Sequence, residues 1–204
     1  MPALDHLVYA TPNLDATVED LATRLGTRPA SGGSHPGLGT RNALLSVGPS
    51  SYLEVIGPDP EQPDPDSARP FGIDDLTGAA LVTWAAGVDD MAAALAEARA
   101  NGYDPGEPVA MRRSRPDGVE LSWRLTPPQL TNGGIVPFFI DWGGSAHPAT
   151  DAPAVRLVDF ALLHPRPPDI RYTIFAVGAQ VPLRVGGRVG VLAVIEGPAG
   201  QVTL

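Results

Sequence analysis

The chain has 204 residues, 14 Lys+Arg against 23 Asp+Glu, a formal net charge of −9 and a pI near 4.7. That acidity argues against nucleic acid or an anionic membrane surface as a partner, since both bind through clustered basic residues. There is no cysteine, which excludes thiol catalysis, Cys-ligated zinc and a disulfide framework.

A hydrophobic content of 43 % gives enough apolar surface for a core. The 23 Gly and 23 Pro lack a collagen period and read as turns between short strands. The opening MPALDHLVYATPNL has no basic region and an acid at Asp5, so no signal peptide is expected. No apolar run approaches the ~20 residues of a membrane helix. The expectation is a cytoplasmic protein.

Leu4 to Thr11 alternates as a strand and contains His6. A helix follows from Asn13 or Leu14 to Gly26, with Val18, Leu21 and Leu25 at helical spacing. The Gly-rich stretch Ala30 to Thr40 is too punctuated for a helix. Asn42–Val47 and Tyr52–Ile56 predict two strands around Gly48-Pro49-Ser50-Ser51. Pro58 to Pro70, dense in prolines and acids, reads as a connector. The pattern then restarts: a strand at 79–86, an Ala-rich helix at 88–100 with Asp89 and Asp90 in its first turn, and a hairpin of 109–113 with 119–125. The hairpin turns at Arg115-Pro116-Asp117-Gly118, and a strand at 135–142 closes the unit.

A third, partial copy follows, with strands at 155–163, 181–185 and 190–195 and a short helix at 169–177. Three letter matches recur in the same order. LSVG at 45–48 returns as LRVG at 183–186, YLEVIGP at 52–58 as VLAVIEGP at 191–198, and LDHLVYATP at 4–12 as LVDFALLHP at 157–165. The organisation read from this is a first unit at 1–58, a Pro/acid-rich connector at 59–78, a second unit at 79–143 and a partial third copy at 155–204 packed on the same domain. Phe160 stands where His6 would in that copy, and Ala193 where Glu54 would, so it is read as a remnant extending the sheet.

DHLVYATPNLD resembles the first strand of vicinal oxygen chelate proteins, and YLEVIGPD the strand that carries their glutamate. RRSRPDGVELSWRL (112–125) and PFFIDWGGSAHP (137–148) resemble the glyoxalase-like group of that superfamily. The resemblance implies an α+β fold. Paired βαβββ units would form a curved, mostly antiparallel sheet with outer helices, and a partial third copy would be added. It implies a divalent metal (Zn, Mn, Fe, Ni or Co) or none, a small-molecule substrate or ligand, and leaves a homodimer open.

By that resemblance His6 and Glu54 are metal ligands, with Glu54 doubling as a catalytic base. Imidazole plus carboxylate suits a divalent ion with open positions for two substrate oxygens. The second unit departs from the pattern. Ala80, Leu81 or Val82 falls opposite His6, with Trp84 on the face of Val82, and Phe139 falls near Glu54, with Asp141 on the same face. Asp141 or His147 would have to supply a third ligand. His147, in a His-Pro turn, is more often structural, and His35 and His164 read as structural or exposed.

Arg112, Arg113 and Arg115 cluster at the hairpin, as a solvated turn or as a hold for an anionic group. Leu121 and Trp123 face one way, Ser122 and Arg124 the other, and alternation does not say which way is inward. The substrate cup is expected to be lined by Tyr52, Trp84, Arg124 and Phe139 beside His6 and Glu54. Two functions follow: a metal-dependent lyase, isomerase or dioxygenase acting on a small oxygenated molecule, or a metal-free binding or sequestering protein of the same fold. No Gly-x-Ser-x-Gly elbow, His-Glu-x-x-His, P-loop or dinucleotide fingerprint is present.

Overall fold

The structure, a computed structural model, describes residues 2–114 and 118–204. The turn expected over Arg115-Pro116-Asp117-Gly118, and with it Arg115, falls outside the described residues except for Gly118. Eight strands form a closed barrel: β1 (Ala3–Ala10), β2 (Ala30–His35), β3 (Thr40–Gly48), β4 (Ser51–Pro58), β5 (Ala80–Gly87), β6 (Val109–Ser114), β7 (Glu120–Leu125) and β8 (Phe138–Asp141). Their order around the barrel is β1-β4-β3-β2-β6-β7-β8-β5. β1 runs parallel to β4 and β5 parallel to β8, and the other pairs are antiparallel. Two strand–helix–strand units thus meet edge to edge, and the fold is the α+β, strongly curved sheet with outer helices that the resemblance implied.

The Gly-rich segment, for which the sequence predicts no strand, forms β2. It closes the barrel through the pairing of Ser34 with Ser114.

α1 (Leu14–Leu25) starts where Asn13 Oδ1 accepts from the Ala16 amide and stops at Gly26, whose φ of 69° ends a helix without strain. Leu14, Val18, Leu21 and Leu25 form its buried stripe. α2 (Met91–Ala100) is capped by Asp90, which accepts from the Ala93 amide, and buries Met91, Leu95 and Ala98.

The barrel walls separate two apolar layers. Inside lie Val8, Ala10, Ile56, Ala85, Leu121, Trp123, Phe138 and Ile140. Outside, under the helices, lie Leu7, Leu53, Val55, Trp84, Phe139 and the helix stripes.

The C-terminal segment contributes β9 (Arg156–His164), α3 (Pro168–Ala176), β10 (Leu183–Val185), β11 (Gly190–Gly197) and β12 (Gly200–Thr203). It does not extend the barrel. It forms a second sheet of order β10-β9-β11-β12 that packs on the outer layer, where Phe160 meets Trp84 with ring centroids 5.3 Å apart. Its strand order also differs from that of the barrel units. The last strand of unit one, β4, lies parallel beside β1, whereas β10 takes the parallel place beside β9 and β11 lies antiparallel on the other side.

Two β-bulges set which residues face the lumen. In β1 the pairing steps from Leu4↔Ala86 to His6↔Ala85, which leaves Asp5 extra. In β5 it steps from Thr83 to Leu81 against Val8 and Tyr9, which leaves Val82 extra. A bulge breaks simple alternation and re-aims the side chains beside it. Val82 therefore packs against the lumen cluster while Trp84 packs in the outer layer.

Candidate active site in the barrel lumen

A cavity of about 260 Å³ opens inside the barrel. One arc of its wall is polar and runs strand by strand: His6 on β1, Tyr52 and Glu54 on β4, Asn42 on β3, His35 on β2 and Arg113 on β6. The other arc is apolar, with Met111, Trp123, Leu125, Phe138 and Ile140. The connector reaches over the mouth and contributes Pro70 and Phe71. Phe71 takes a φ of 62°, uncommon for a bulky residue, and sits 6.1 Å from Phe138 between ring centroids.

His6 and Glu54 meet because β1 and β4 are parallel neighbours in the register His6↔Tyr52, so Glu54 is two residues along the same face. His6 Nε2 stands 3.8 Å from Glu54 Oε2. Both side chains are buried in the wall, and Glu54 Oε1 accepts from Asn42 Nδ2 at 2.6 Å. His35 continues the row, with Nε2 3.4 Å from Asn42 Nδ2 and Nδ1 3.1 Å from Thr40 Oγ1. Burial lowers the His35 pKa, against an upward pull from Glu54. Tyr52 stacks on the His6 ring at 4.7 Å. Burial, helped by the charges of Asp5 and Glu54, pushes its hydroxyl well above the usual tyrosine range, so it stays a donor.

The bulge at Asp5 turns that carboxylate to the His6 side. His6 Nδ1 donates to Asp5 Oδ1 at 2.7 Å. Trp142 Nε1 donates to Oδ2 at 3.0 Å, and His147 Nε2 lies 3.2 Å from the same oxygen. His147 Nδ1 accepts from the Ala149 amide at 3.2 Å, which makes Nε2 the proton-bearing nitrogen that donates to Asp5. The carboxylate is thus triply held. Burial raises the Asp5 pKa, but the hydrogen bonds from His147 and His6 outweigh it and bring the value from 3.8 down to about 2. With Nδ1 bonded to Asp5, neutral His6 presents a bare Nε2 to Glu54 and the cavity.

This depressed pKa makes a prediction. The group's folded value lies below its unfolded one, so its contribution is complete above pH 3.8 and is lost as the pH falls toward 2. A shift of that size corresponds to roughly 2–3 kcal/mol. Asp5→Asn should lose about that much stability at pH 7, and urea midpoints of the two proteins should converge toward pH 2. A gap that persists unchanged in acid would mean that Asp5 acts through packing alone.

Several expected lining residues are placed elsewhere. Trp84 points outward because of the Val82 bulge, and its Nε1 donates to the Ile135 carbonyl at 3.0 Å. Phe139 faces the outer layer, because Phe138 pairs with Ala85 and the two flanking positions of β8, Phe138 and Ile140, take the lumen. Arg124 is on the outer face, where its guanidinium donates to Asp141 Oδ2 at 2.7 Å. Asp141 Oδ1 accepts from the Gly143 amide at 2.8 Å, so that carboxylate is engaged outside the lumen. Nothing in the sequence pattern marks Asp5, Asn42, Phe138 or Trp142 as site residues, and His35, expected to be structural or exposed, lines the cavity. Arg113, whose cluster suits a solvated turn or a hold for an anionic group, is only 3 % exposed and lines the cavity.

In β7 the sequence did contain the signal: Leu121 and Trp123 are the buried face. The partners across the hairpin, Arg113↔Leu121 and Met111↔Trp123, share that face.

The parallel registers also locate the second unit's counterparts of the polar pair. His6↔Tyr52 with Glu54 two residues on corresponds to Ala85↔Phe138 with Ile140 two residues on. Ala85 and Ile140 carry no donor atoms in their side chains.

The chain matches the family model of the glyoxalase-like domain over residues 4–176. No curated protein matches it. Among solved structures, a hypothetical protein from Staphylococcus aureus superposes with a TM-score of 0.68 at 13 % identity, covering 100 % of this chain and 84 % of that one. A Streptomyces coelicolor methylmalonyl-CoA epimerase in complex with 2-nitronate-propionyl-CoA is 24 % identical, with a TM-score of 0.48, and covers 72 % of this chain and 98 % of that one. The methylmalonyl-CoA epimerase from Mycobacterium tuberculosis is 21 % identical, with a TM-score of 0.44, over 68 % and 86 % of the two chains. Likeness at this level concerns the fold and not the substrate. The family match, the closed barrel of paired units and the polar arc in its lumen lead to one assignment: the chain belongs to the glyoxalase-like domain family.

Proposed function

We propose that this protein is an enzyme that moves a proton on a small oxygenated molecule held in the barrel, a reaction of the isomerase or lyase type. The observation that carries this reading is the pair of His6 Nε2 and Glu54 Oε2, 3.8 Å apart at the polar edge of an otherwise apolar cavity. In the reaction, Glu54 takes a proton from a carbon next to an oxygen function, and the electron pair stays on the substrate as an enolate. His6, steadied by Asp5 on its other nitrogen, takes that proton from the Glu54 carboxyl on its bare Nε2 and returns it to oxygen or carbon. Return to carbon completes an isomerisation, and loss of a leaving group from the enolate completes a lyase reaction. The apolar wall strengthens each charge interaction by excluding water.

The divalent metal that the resemblance implies would take His6 and Glu54. Their counterparts Ala85 and Ile140 offer nothing, Asp141 is engaged with Arg124 on the outer face, and both ring nitrogens of His147 are in hydrogen bonds. Among the described residues no group of three His, Asp or Glu is placed to hold an ion. A catalytic metal usually has three protein ligands. The donor set does not fit a resident catalytic metal, and no step is assigned to one.

The test is hydrogen–deuterium exchange at carbon. Small oxo acids, hydroxy acids and aldehydes would be incubated with the protein in D₂O and followed by proton NMR, with and without chelator. We expect exchange with at least one compound that survives chelator and is lost in His6→Gln. Exchange abolished by chelator and restored by a divalent ion would replace this reading with a metal-dependent one.

A second reading is a metal-free binding protein, favoured by the aromatic lining of Tyr52, Phe71, Trp123, Phe138 and Trp142. Quenching of tryptophan fluorescence by planar ligands, with no exchange at any carbon, would support it. Among the described residues no helix is long and apolar enough to cross a membrane.

A further inference from the structure

The lumen also carries a cation. Arg113 lines the cavity from β6, buried in the wall beside His35 at the seam where β6 meets β2. β2 gives up a side chain where the guanidinium passes: a Cβ on Gly32 would come within 3.0 Å of Arg113 Nη1 and within 2.2 Å of Asn42 Oδ1. Glycine inside a strand weakens it and marks a place where another group must approach closely. Among the described residues that line this cavity Arg113 is the one arginine or lysine, and it lies across β2 and β3 from Glu54. Its charge reaches the interior, where it opposes the larger upward effect of burial on Tyr52 and adds to the lowering of the His35 pKa by burial. A guanidinium presents a planar fork of donors that matches a carboxylate, and low-polarity surroundings strengthen that pairing.

We infer that the substrate of this cavity is a small carboxylate with an apolar body. Arg113 holds the carboxylate end, the carbon to be deprotonated lies toward Glu54 and His6, and the apolar remainder packs on Trp123, Phe138 and Ile140. Arg113 is here a binding residue that sets substrate class. The inference rests on the lumen being the active site, and it deepens that reading by naming the charge and shape of what enters.

Binding can test it apart from catalysis. Trp123 and Trp142 line the cavity and report occupancy by fluorescence, and calorimetry gives an independent measure. The probes are straight-chain carboxylates from acetate to octanoate and phenylacetate, each against its neutral primary amide of nearly equal shape. In the wild-type protein we expect at least one carboxylate to bind tenfold or more tighter than its amide. That preference should vanish in Arg113→Gln and be partly kept in Arg113→Lys, which retains the charge but not the fork. Glu54→Gln should keep the preference, so loss of deuterium exchange in that variant with binding intact tests the proton-transfer reading separately. If Arg113 variants do not fold, the wild-type comparison of acid with amide still decides. Equal binding of acid and amide, no binding of either across the series, or a preference that survives in folded Arg113→Gln overturns the proposal.

Discussion

Glu54→Gln is expected to reduce proton transfer about 10²–10⁴-fold, the usual weight of a general base in a rate. The substitution keeps the shape of the side chain. Glu54 Oε1 accepts from Asn42 Nδ2 at 2.6 Å, and the glutamine carbonyl can accept the same bond. What is lost is the basic oxygen that faces His6 Nε2 at 3.8 Å. The thermal midpoint should therefore move little, and a carboxylate probe should bind as well or better, because a like charge has left the lumen. The measurement is the exchange rate of the best D₂O substrate at fixed pH, alongside a melting curve. A variant that exchanges at the wild-type rate would remove Glu54 as the base and leave His6 as the candidate.

The largest expected effect on stability lies outside the lumen. Gly134 has a φ of 68°, and a Cβ there would come within 1.7 Å of the Val82 carbonyl oxygen. Its own carbonyl accepts from Thr83 Oγ1 at 3.0 Å, so the backbone at 134 is tied against the bulged strand. Gly134→Ala must carry a side chain in the left-handed region, which costs about 1–2 kcal/mol, and also move backbone rather than a flexible side-chain tip, which adds about 1–3 kcal/mol. We expect a loss on the order of 3 kcal/mol or more, read from urea unfolding. The same substitution at Gly102, where φ is 84° and no atom lies within 4 Å of the added Cβ, should cost only the conformational part. If the two variants lose the same stability, the contact between 134 and the Val82 bulge is not what constrains this turn.

That contact also separates what alternation could read from what it could not. In β4, where no bulge intervenes, Tyr52 and Glu54 face inward together as period-two spacing requires. In β5 the same rule put Trp84 on the face of Val82, and the bulge at Val82 sent it to the outer layer. A bulge leaves little trace in residue types, because it is stabilised by what packs on it from elsewhere in the chain, here Gly134.

The sequence by itself determined much of this protein. Stripes of Leu and Val at helical spacing, with Asn13, Asp90 and Gly26 at helix ends, are local properties of the backbone, and they fixed both barrel helices. The two restarts of the strand–helix pattern, and the motifs around His6 and Glu54, gave the paired α+β units and the polar pair. Tertiary structure alone decided the rest. The strand in the Gly-rich segment exists because β3 and β6 are there to pair with it. The separate sheet at the C-terminus follows from β10 taking the place beside β9, a choice that repeated letters do not encode. Arg113 faces the lumen rather than solvent in the register that pairs it with Leu121, and Asp5 reaches His6 through one extra residue in β1. For Arg113 and Asp5 the physical reason is the same. Side-chain period in a strand is two, so direction depends on counting residues between distant partners, and that count is settled by pairing and packing rather than by the identity of any residue.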